Sequence, residues 1–371
     1  MTSTVELSNG TADEMSAYRT ESLLEHGTEA MGRGDYSTAA TMFAIAGGSV
    51  GHGYDRQRVL YNRAIRNLIP RWHYAMLNDD ARNAAYRDAI RHMVRPGDLV
   101  LDIGTGAGLL SLLAIEAGAE AVVTCEMEPR LADVARQIMI NNKVQSKVTV
   151  VSTVSTDLRV GVDLPRRADV LVTEIFDCAL FGEGAVPAIR HARRDLLRPD
   201  ARIIPGRARV LGQLIESEEL LAHNSVSEVL GFDLSPFQRF RSIEYFSTYL
   251  SRYRHRPLSD PFVMFDVDFR TGELARERRV SVPVTATGDC HAVAMWFDLD
   301  LASGVTLSNS PDQVGTHWRQ AVQTLERPVT CQASGSVDLL VAHDEERVLV
   351  RGVEDGRPRD GQHAGERPGR G

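Results

Sequence analysis

The sequence predicts an α/β domain with a parallel sheet, followed by an antiparallel β domain and preceded by a helical extension. Three observations support this fold class: buried-strand patterns alternate with helical patterns between residues 98 and 198, β-branched and aromatic residues alternate after Pro205, and apolar residues recur at helical spacing in residues 16–47. A chain of 371 residues with 43% hydrophobic content is long enough to build two domains.

The first 69 residues form the predicted helical extension. Apolar side chains at helical spacing around residues 32–36 predict a helical hairpin, and a further helix is expected from about Arg56 to Leu68. The hairpin resembles a single tetratricopeptide-type unit, which cannot cover its own apolar face. We therefore expect it to pack on the next domain as a cap; a separate peptide-binding module is the alternative.

Residues 70–205 are predicted to form the α/β domain. Alternating strands and helices of this kind make right-handed βαβ units and a parallel sheet. Strands are expected at residues 98–103, 120–126, 147–152 and 168–174. Helices are expected at residues 79–92, from 109 onward, at 130–141 and at 187–198.

Residues 206–353 are predicted to form the antiparallel β domain. Its strands are expected at residues 207–216, 262–269, 280–284, 291–299, 329–331 and 337–341. Residues 217–256 combine helical spacing with an aromatic-rich stretch that a small β domain could not bury alone. We predict that this segment is a helical arm that packs on a second subunit. Residues 354–371 are rich in Gly, Pro and charge, which predicts a disordered tail.

Charge and cysteine content exclude several functions. The net charge of −8 provides no broad basic face for a phosphate backbone, so nucleic acid is not an expected partner. The four cysteines are scattered without a CxxC pair or a neighbouring His, so we expect neither disulfides nor a metal site. The polar first residues and the lack of a long apolar run predict a cytoplasmic protein without a membrane partner.

A glycine-rich loop follows the first predicted strand. Residues 104–108 read Gly-Thr-Gly-Ala-Gly and precede a helix, so backbone amides and a helix N-terminus meet at a strand end, where a ligand can approach. Leu109 stands where a dinucleotide fingerprint has its third glycine, and Asp102 precedes the loop inside the strand. This spacing favours S-adenosylmethionine over a nicotinamide cofactor. Glu126 ends the second strand, where a carboxylate can accept both ribose hydroxyls; an ordinary solvated acid is the alternative.

Two glutamates flank one loop at the carboxyl edge of the predicted sheet. Glu174 closes the fourth strand and Glu183 follows nine residues later. In a parallel α/β sheet this edge is where the substrate belongs. By spacing alone, two such acids would more often be ordinary surface residues, so their assignment depends on the motifs around them.

Three segments together resemble the protein arginine methyltransferases. They are VLDIGTGAGLLS at residues 100–111, EIFDCALFGE at residues 174–183 and THWRQ at residues 316–320. In that family these are the cofactor motif, the double-glutamate loop and the Thr-His-Trp loop. The resemblance covers roughly residues 70–345. It implies a Rossmann-like class I methyltransferase domain, a β-barrel domain with a helical dimerisation arm, S-adenosylmethionine as cofactor and a homodimer.

The resemblance also implies roles for individual residues. MLNDDARNAAY, residues 76–86, is similar to the family's helix before the first strand, which places Arg82 on the methionine carboxylate of the cofactor and Asp79 opposite His317. That His-Asp pair would close the acceptor pocket and offer a route for the departing proton; core packing is the alternative for His317. Thr156 stands where many members have a glutamate that contacts adenine.

Fourteen residues are expected to form the site. The expected catalytic residues are Glu174, Glu183, His317 and Asp79. The expected cofactor-binding residues are Arg82, Asp102, Gly104, Gly106, Gly108, Glu126 and Thr156. The acceptor pocket is expected to be lined by Tyr74, Met76 and Trp318.

The chemistry of arginine explains why such a site needs two carboxylates. A guanidinium is always protonated and is a poor nucleophile, and it must approach a sulfonium of the same charge. Two unit charges about 4 Å apart repel by roughly 4 kcal/mol at an effective dielectric of about 20, enough to slow a reaction on the order of a thousandfold. A glutamate pair can hold the planar guanidinium, cancel its charge and fix one nitrogen in line with the methyl group.

The sequence therefore predicts an S-adenosylmethionine-dependent arginine guanidino N-methyltransferase. We favour free L-arginine as the substrate, giving Nω-methyl-L-arginine for a natural-product pathway, because the chain has no recognisable recruitment module; a protein or peptide arginine is the alternative. Phe176, Asp177 and the Gly-Glu-Gly ending of the loop favour the family's monomethylating branch. A non-catalytic scaffold would be expected to have lost a glutamate or the histidine, and a nicotinamide oxidoreductase would need the third loop glycine.

Overall fold

The computed structural model describes residues 12–48, 55–313 and 315–352. The predicted tail at residues 354–371 lies outside this part of the chain. In sequence order the described residues form N-terminal helices, an α/β domain and an antiparallel β domain. No helix within these residues is both long and apolar enough to cross a bilayer.

The N-terminal helices build a small core of their own. They are α1 (Ala12–Gly32), α2 (Tyr36–Phe43), which a π-helical turn at Ala44–Gly48 continues, and α3 (Arg56–Leu68). Asp35 and Asp55 cap α2 and α3 by accepting backbone N–H groups. The side chains buried between the helices are Leu24, Ala30, Ala39, Ala40, Phe43 and Ala64. Arg130 of the α/β domain donates to the carbonyl oxygen of Ser37 at 2.7 Å, which fixes the hairpin to that domain.

The α/β domain contains a five-stranded parallel sheet. Helices α4 (Trp72–Leu77) and α5 (Asp80–Met93) precede it. Its strands are β1 (Leu99–Ile103), β2 (Ala121–Glu126), β3 (Val148–Ser152), β4 (Ala168–Thr173) and β5 (Leu197–Ile204), in the order β3-β2-β1-β4-β5. The intervening helices are α6 (Leu109–Glu116), α7 (Pro129–Asn141) and α8 (Ala185–His191). Because β1 is central and the strands are parallel, the loops after β1, β2 and β4 meet at one edge of the sheet.

The predicted helix at residues 187–198 ends earlier in the structure, at Leu196. α8 ends at His191, a π-helical turn spans Ala192–Leu196, and the chain then enters β5, which the sequence did not predict. Only the two ends of β5 are buried, and Pro199 lies in the exposed stretch between them. This edge strand therefore shows neither alternation nor a continuous apolar run.

The antiparallel domain contains twelve strands among residues 207–352. They are β6 (Arg207–Glu216), β7 (Glu228–Val229), β8 (Phe232–Asp233), β9 (Phe246–Thr248), β10 (Arg256–Pro257), β11 (Phe262–Asp268), β12 (Glu277–Pro283), β13 (Gly288–Ala302), β14 (Val305–Ser308), β15 (Gln320–Cys331), β16 (Ser336–His343) and β17 (Val348–Gly352). The main sheet has the order β10-β6-β13-β15-β9, with β11 beside β6 and β14 beside β13. A second sheet has the order β12-β16-β17, and one buried apolar cluster extends through both domains.

The segment 217–256 is mostly not helical, which corrects the predicted helical arm. Residues 217–256, all of which the structure describes, contain one α-helix, α9 (Glu218–Ala222). Short 3-10 helices span Ser235–Phe240 and Leu250–Arg252. Leu230 and Gly231, with φ of 54° and 84°, form a left-handed turn that pairs β7 with β8. Apolar side chains remain exposed along the segment: Val229, Leu230, Phe232, Leu234, Phe237, Phe240 and Ile243.

Candidate active site

A cavity of about 1230 Å³ opens where the carboxyl ends of the parallel strands face the antiparallel domain. Four parts of the chain line it: the stretch from α3 to α5, the loops after β1 to β3, the loop after β4, and the β9 side of the antiparallel domain. Ligand pockets commonly measure about 300–1,000 Å³, so this cavity has room for a cofactor together with a small substrate.

The glycine loop presents backbone to the cavity. Gly104, Gly106 and Gly108 have φ of 84°, 51° and 81°, in the left-handed region that glycine adopts without strain. A Cβ on Gly104 would lie 2.4 Å from Cγ2 of Ile175, and one on Gly108 would lie 2.2 Å from Cε of Met139. Gly104 and Gly106 line the cavity, whereas Gly108 packs the loop against α7. The loop geometry thus fits close approach of a ligand to main-chain atoms.

The other residues expected around the cofactor fall into two groups. Glu126 lies at the cavity wall, where its carboxylate accepts N–H groups of Gly106 and Glu128, each at 3.0 Å. Thr156 lines the cavity as well. Asp102 does not, because it is buried within β1, where it accepts a serine hydroxyl of α6 at 2.6 Å. Burial raises the pKa of Asp102 to about 7. Its buried position and its bond to α6 indicate that it supports the loop from inside.

Arg82 connects α5 to the acidic loop. One terminal nitrogen forms an ion pair with Glu174, and the two side chains are each only 4% exposed. Another nitrogen donates to Oδ1 of Asn83 at 2.9 Å. The Nε is buried and has no hydrogen-bond partner among the described residues. Since a buried donor normally has a partner, this orphaned Nε fits a ligand carboxylate such as that of S-adenosylmethionine.

Glu183 faces the same cavity from the far end of the loop. Its φ of 66° places a non-glycine residue in the left-handed region, a strained conformation that is common at functional sites. Desolvation within the cavity, followed by the charges of Glu174, Asp177 and Glu126, raises the pKa of Glu183 to about 7. Two carboxylates that repel across one cavity would both be stabilised by a cation between them.

Asp177, which the sequence analysis used only as a sign of the monomethylating branch, holds the acidic loop together. Its Oδ1 accepts the N–H groups of Ala179 at 3.1 Å and Gly182 at 3.0 Å. Its Oδ2 accepts the phenol of Tyr245 at 2.5 Å. Gly182 is constrained by this arrangement, because a Cβ there would lie 2.5 Å from Cγ of Asp177. The backbone turn before Glu183 is therefore fixed by one carboxylate and one residue of the antiparallel domain.

His317 and Asp79 join the two domains, as the sequence analysis expected. Nδ1 of His317 lies 2.9 Å from Oδ2 of Asp79, and the backbone N–H of His317 donates to the same oxygen at 2.8 Å. Asp79 also caps α5 by accepting the N–H of Arg82 at 2.9 Å. Burial opposes ionisation of Asp79, but the hydrogen bonds from Arg82 and His317 outweigh it and hold its pKa below the usual value.

The three residues expected in the acceptor pocket have different positions. Met76 and Trp318 line the cavity, and Nε1 of Trp318 donates to the carbonyl oxygen of Phe176 at 3.2 Å. Tyr74 does not line it: its side chain is 69% exposed. Side chains two positions apart on an α-helix differ by about 200° in direction, so Tyr74 and Met76 of α4 point to opposite sides. Trp72, two residues before Tyr74 on α4, lines the cavity.

The antiparallel domain contributes a wall that the sequence analysis missed. Tyr245, Ser247 and Tyr249 alternate in and around β9 and line the cavity together, as do Arg319 and Arg347. The alternation was present in the sequence, but β9 is only three residues long and lies in the segment interpreted as helical.

The fold and the cavity define a class of protein. A glycine loop after the first strand of a parallel sheet, an acid at the end of the second and a buried arginine with an unpartnered donor suit S-adenosylmethionine in a Rossmann-like methyltransferase. Two glutamates in the same cavity suit a cationic acceptor. No cluster of His, Cys, Asp and Glu in the described ranges could hold a metal ion.

Comparisons with known proteins give the family. Residues 207–352 match the family model of the arginine methyltransferase oligomerization subdomain, and residues 87–181 match that of the ribosomal protein L11 methyltransferase PrmA. Arginine N(omega)-methyltransferase of Streptomyces achromogenes subsp. streptozoticus is 43% identical over 276 residues, which cover 74% of this chain and 76% of that protein. The chain therefore belongs to the arginine methyltransferase family, and it is an S-adenosylmethionine-dependent arginine N-methyltransferase.

Longer relatives share the same region. Protein arginine N-methyltransferase 9 of Xenopus laevis is 33% identical over 72% of this chain, and protein arginine N-methyltransferase 7 of Drosophila ananassae is 33% identical over 73% of it. The alignments span only 36% and 46% of those two proteins.

Solved structures agree with the fold. The PRMT1 enzyme-prozyme heterotetrameric complex of Trypanosoma brucei with AdoHcy matches with a TM-score of 0.64 and 25% identity, over 73% of this chain and 86% of that one. Protein arginine methyltransferase 10 of Arabidopsis thaliana matches in fold with a TM-score of 0.59 and 22% identity, over 72% and 86% of the two chains.

Proposed function

We propose that this enzyme methylates the guanidinium of free L-arginine, giving Nω-methyl-L-arginine in a natural-product pathway. The observation that carries the guanidinium assignment is the pair Glu174 and Glu183, which face one cavity from the two ends of one loop. The relative named arginine N(omega)-methyltransferase, at 43% identity, supports the free amino acid. A protein or peptide arginine is the second candidate, which the relatives named protein arginine N-methyltransferase favour.

The two glutamates have distinct tasks in this proposal. Glu174 is oriented by Arg82 and accepts N–H groups of the substrate guanidinium. Glu183, whose carboxyl repels Glu174 in the empty cavity, becomes fully ionised when the cation binds. Together they fix the planar group, cancel its charge and leave one nitrogen directed at the methyl group, which S-adenosylmethionine supplies when bound.

The cofactor is assigned to the part of the cavity that the glycine loop and Arg82 line. Arg82 offers its orphaned Nε to the methionine carboxylate, Gly104 and Gly106 allow close approach, and Glu126 would exchange its backbone contacts for the ribose hydroxyls. Asp79 holds His317 at the pocket edge, where the imidazole would accept the proton lost after methylation.

The exposed apolar residues of the segment 217–256 support a homodimer. Leu230 is 93% exposed and Phe232 70% exposed, and such a patch favours a protein partner. The matching family model, an oligomerization subdomain, spans this segment. Sedimentation should show a dimer that Phe232→Asp dissociates, whereas Val162→Asp, in an exposed turn of the α/β domain, should not. We also propose that the enzyme is cytoplasmic, which its similarity to the Streptomyces relative supports.

The proposed activity is tested by incubating purified enzyme with labelled S-adenosylmethionine and either L-arginine or an arginine-rich peptide, then resolving products by mass. We expect a single methyl on L-arginine and at least tenfold lower transfer to the peptide. Transfer to the peptide alone would contradict the free amino acid as substrate. No transfer to either acceptor would favour a non-catalytic scaffold of the same fold.

A further inference from the structure

Arg319 is a cation on the cavity wall without an acidic partner. It follows Trp318 directly, lines the cavity and is exposed to it. Its guanidinium forms no ion pair and no side-chain hydrogen bond with any residue that the structure describes; its Cζ lies 5.4 Å from the ring centre of Tyr249. By contrast, Arg82, which also lines the cavity, is paired with Glu174. An unpaired arginine facing a ligand cavity is suited to a carboxylate.

The backbone of Arg319 is fixed beside the acidic loop. Nδ2 of Asn309 donates both to the carbonyl oxygen of Cys178, at 3.1 Å, and to that of Arg319, at 2.7 Å. Trp318 adds its hydrogen bond to Phe176 of the same loop. These contacts hold the backbone of Arg319 against the loop that carries both glutamates. A single ligand can therefore meet acids at one end and a cation at the other.

The charge pattern matches one form of the substrate. Free L-arginine carries a guanidinium at one end and an α-carboxylate at the other, whereas an arginine inside a protein has a neutral amide in place of the carboxylate. We infer that Arg319, held by Tyr249, binds the α-carboxylate of free L-arginine and so selects the amino acid over protein substrates. This inference rests on the proposed function, whose substrate it explains.

Two neighbouring arginines, Arg347 and Arg252, have surroundings that differ from those of Arg319. Arg347 also lines the cavity, but Tyr245, followed by the carboxylates of Glu244 and Asp177, raises the pKa of its guanidinium, and its Cζ lies 5.9 Å from the ring centre of Tyr245. Arg252 also packs on Tyr249, with its Cζ 4.9 Å from the ring centre, yet it does not line the cavity. Arg252 is therefore a matched control, since it has the same charge and the same aromatic neighbour but lies outside the cavity.

The test compares L-arginine with agmatine, which is arginine without its carboxylate, in the wild-type enzyme, Arg319→Gln and Arg252→Gln. We expect the wild-type enzyme to prefer L-arginine by about 10- to 100-fold in kcat/KM, the usual effect of a hydrogen bond to a charged group. Arg319→Gln should lower kcat/KM for L-arginine by a similar factor, mainly through KM, and leave agmatine within about twofold. Arg252→Gln should leave both substrates within about twofold of wild type.

Titration of S-adenosylmethionine into each variant shows whether its fold is intact. Equal losses with both substrates, or unchanged use of L-arginine by Arg319→Gln, would overturn the role of Arg319 while leaving the proposed function standing, because the wild-type enzyme would still methylate L-arginine. If the wild-type enzyme methylates only the peptide, the proposed function fails and the role of Arg319 fails with it.

Discussion

The two ends of the loop from Glu174 to Glu183 have opposite electrostatic settings. Glu174 follows a buried strand and is paired with Arg82, so its carboxylate is oriented before any ligand arrives. Glu183 has a strained backbone, a raised pKa and no cation beside it among the residues described. The comparison indicates that one carboxylate is preorganised by the protein, whereas the other depends on the substrate cation for its full charge.

The largest expected effect is at the preorganised end. Glu174→Gln should lower kcat/KM for the acceptor by about a thousandfold or more, because the repulsion between guanidinium and sulfonium is no longer offset. The affinity for S-adenosylmethionine, measured by calorimetry, should change little, since a glutamine oxygen can still accept from Arg82. Glu116→Gln is the control, because it removes a carboxylate from a surface ion pair with Arg87 and Arg91. Unchanged turnover in Glu174→Gln would remove the proposed role of Glu174.

The raised pKa of Glu183 predicts that activity depends on pH. The pKa of Glu183 is raised to about 7, so the carboxyl is neutral below that pH and attracts the guanidinium weakly. In the free enzyme kcat/KM should therefore fall by about tenfold per pH unit below about pH 7. The fall of kcat on the acid side of its pH profile should lie at lower pH than that of kcat/KM, because the bound cation favours the ionised carboxyl of Glu183.

Glu183→Gln separates this explanation from others. The variant should lose about a hundredfold in kcat/KM at pH 8 and should no longer show the acid limb. Rates at pH 5.5 to 8.5 provide the measurement. An acid limb that persists unchanged in Glu183→Gln would assign the titration to another group and would end the contrast between the two glutamates.

The sequence predicted the parts of this site that local chemistry determines. Glycines at one strand end and acids at other strand ends are visible in short motifs. The sequence analysis therefore identified four residues that line the cavity: Gly104, Glu126, Glu174 and Glu183. Tyr74 was placed in the correct segment but on the wrong face, because a motif gives a position and not the direction of a side chain. Asp102 lies inside β1, as the sequence analysis placed it, and does not line the cavity.

Contacts between distant segments could not be predicted in this way. Asn309 and Cys178 are 131 residues apart, and Tyr245 and Asp177 are 68 residues apart. Such pairs depend on how β9 and the loop before β15 pack on the α/β domain. β5 and the local hairpin of β7 and β8 were missed for a different reason, since neither has a distinctive apolar pattern of its own.

The smallest expected effect tests how Glu183 is held. Tyr245→Phe removes the donor to Oδ2 of Asp177 but leaves the bonds from Asp177 to Ala179 and Gly182. The turn before Glu183 should loosen, and kcat/KM for the acceptor should fall by about three- to tenfold, because Tyr245 acts on Glu183 only indirectly and only part of the about 1.5–3 kcal/mol of a hydrogen bond to a charged group is lost at the substrate. Cofactor affinity should not change. Glu174 would keep Arg82, so the loss should appear at the Glu183 end alone.

Steady-state kinetics on both substrates, with Tyr18→Phe as an exposed control, measures this effect. Asp177→Asn sharpens the result, because it removes a negative charge that raises the pKa of Glu183 and should move the acid limb to lower pH. A purely structural role for Asp177 would lower activity at every pH without moving that limb. If Tyr245→Phe weakens S-adenosylmethionine as strongly as arginine, Tyr245 acts on the whole cavity, and the two ends of the loop are not independent.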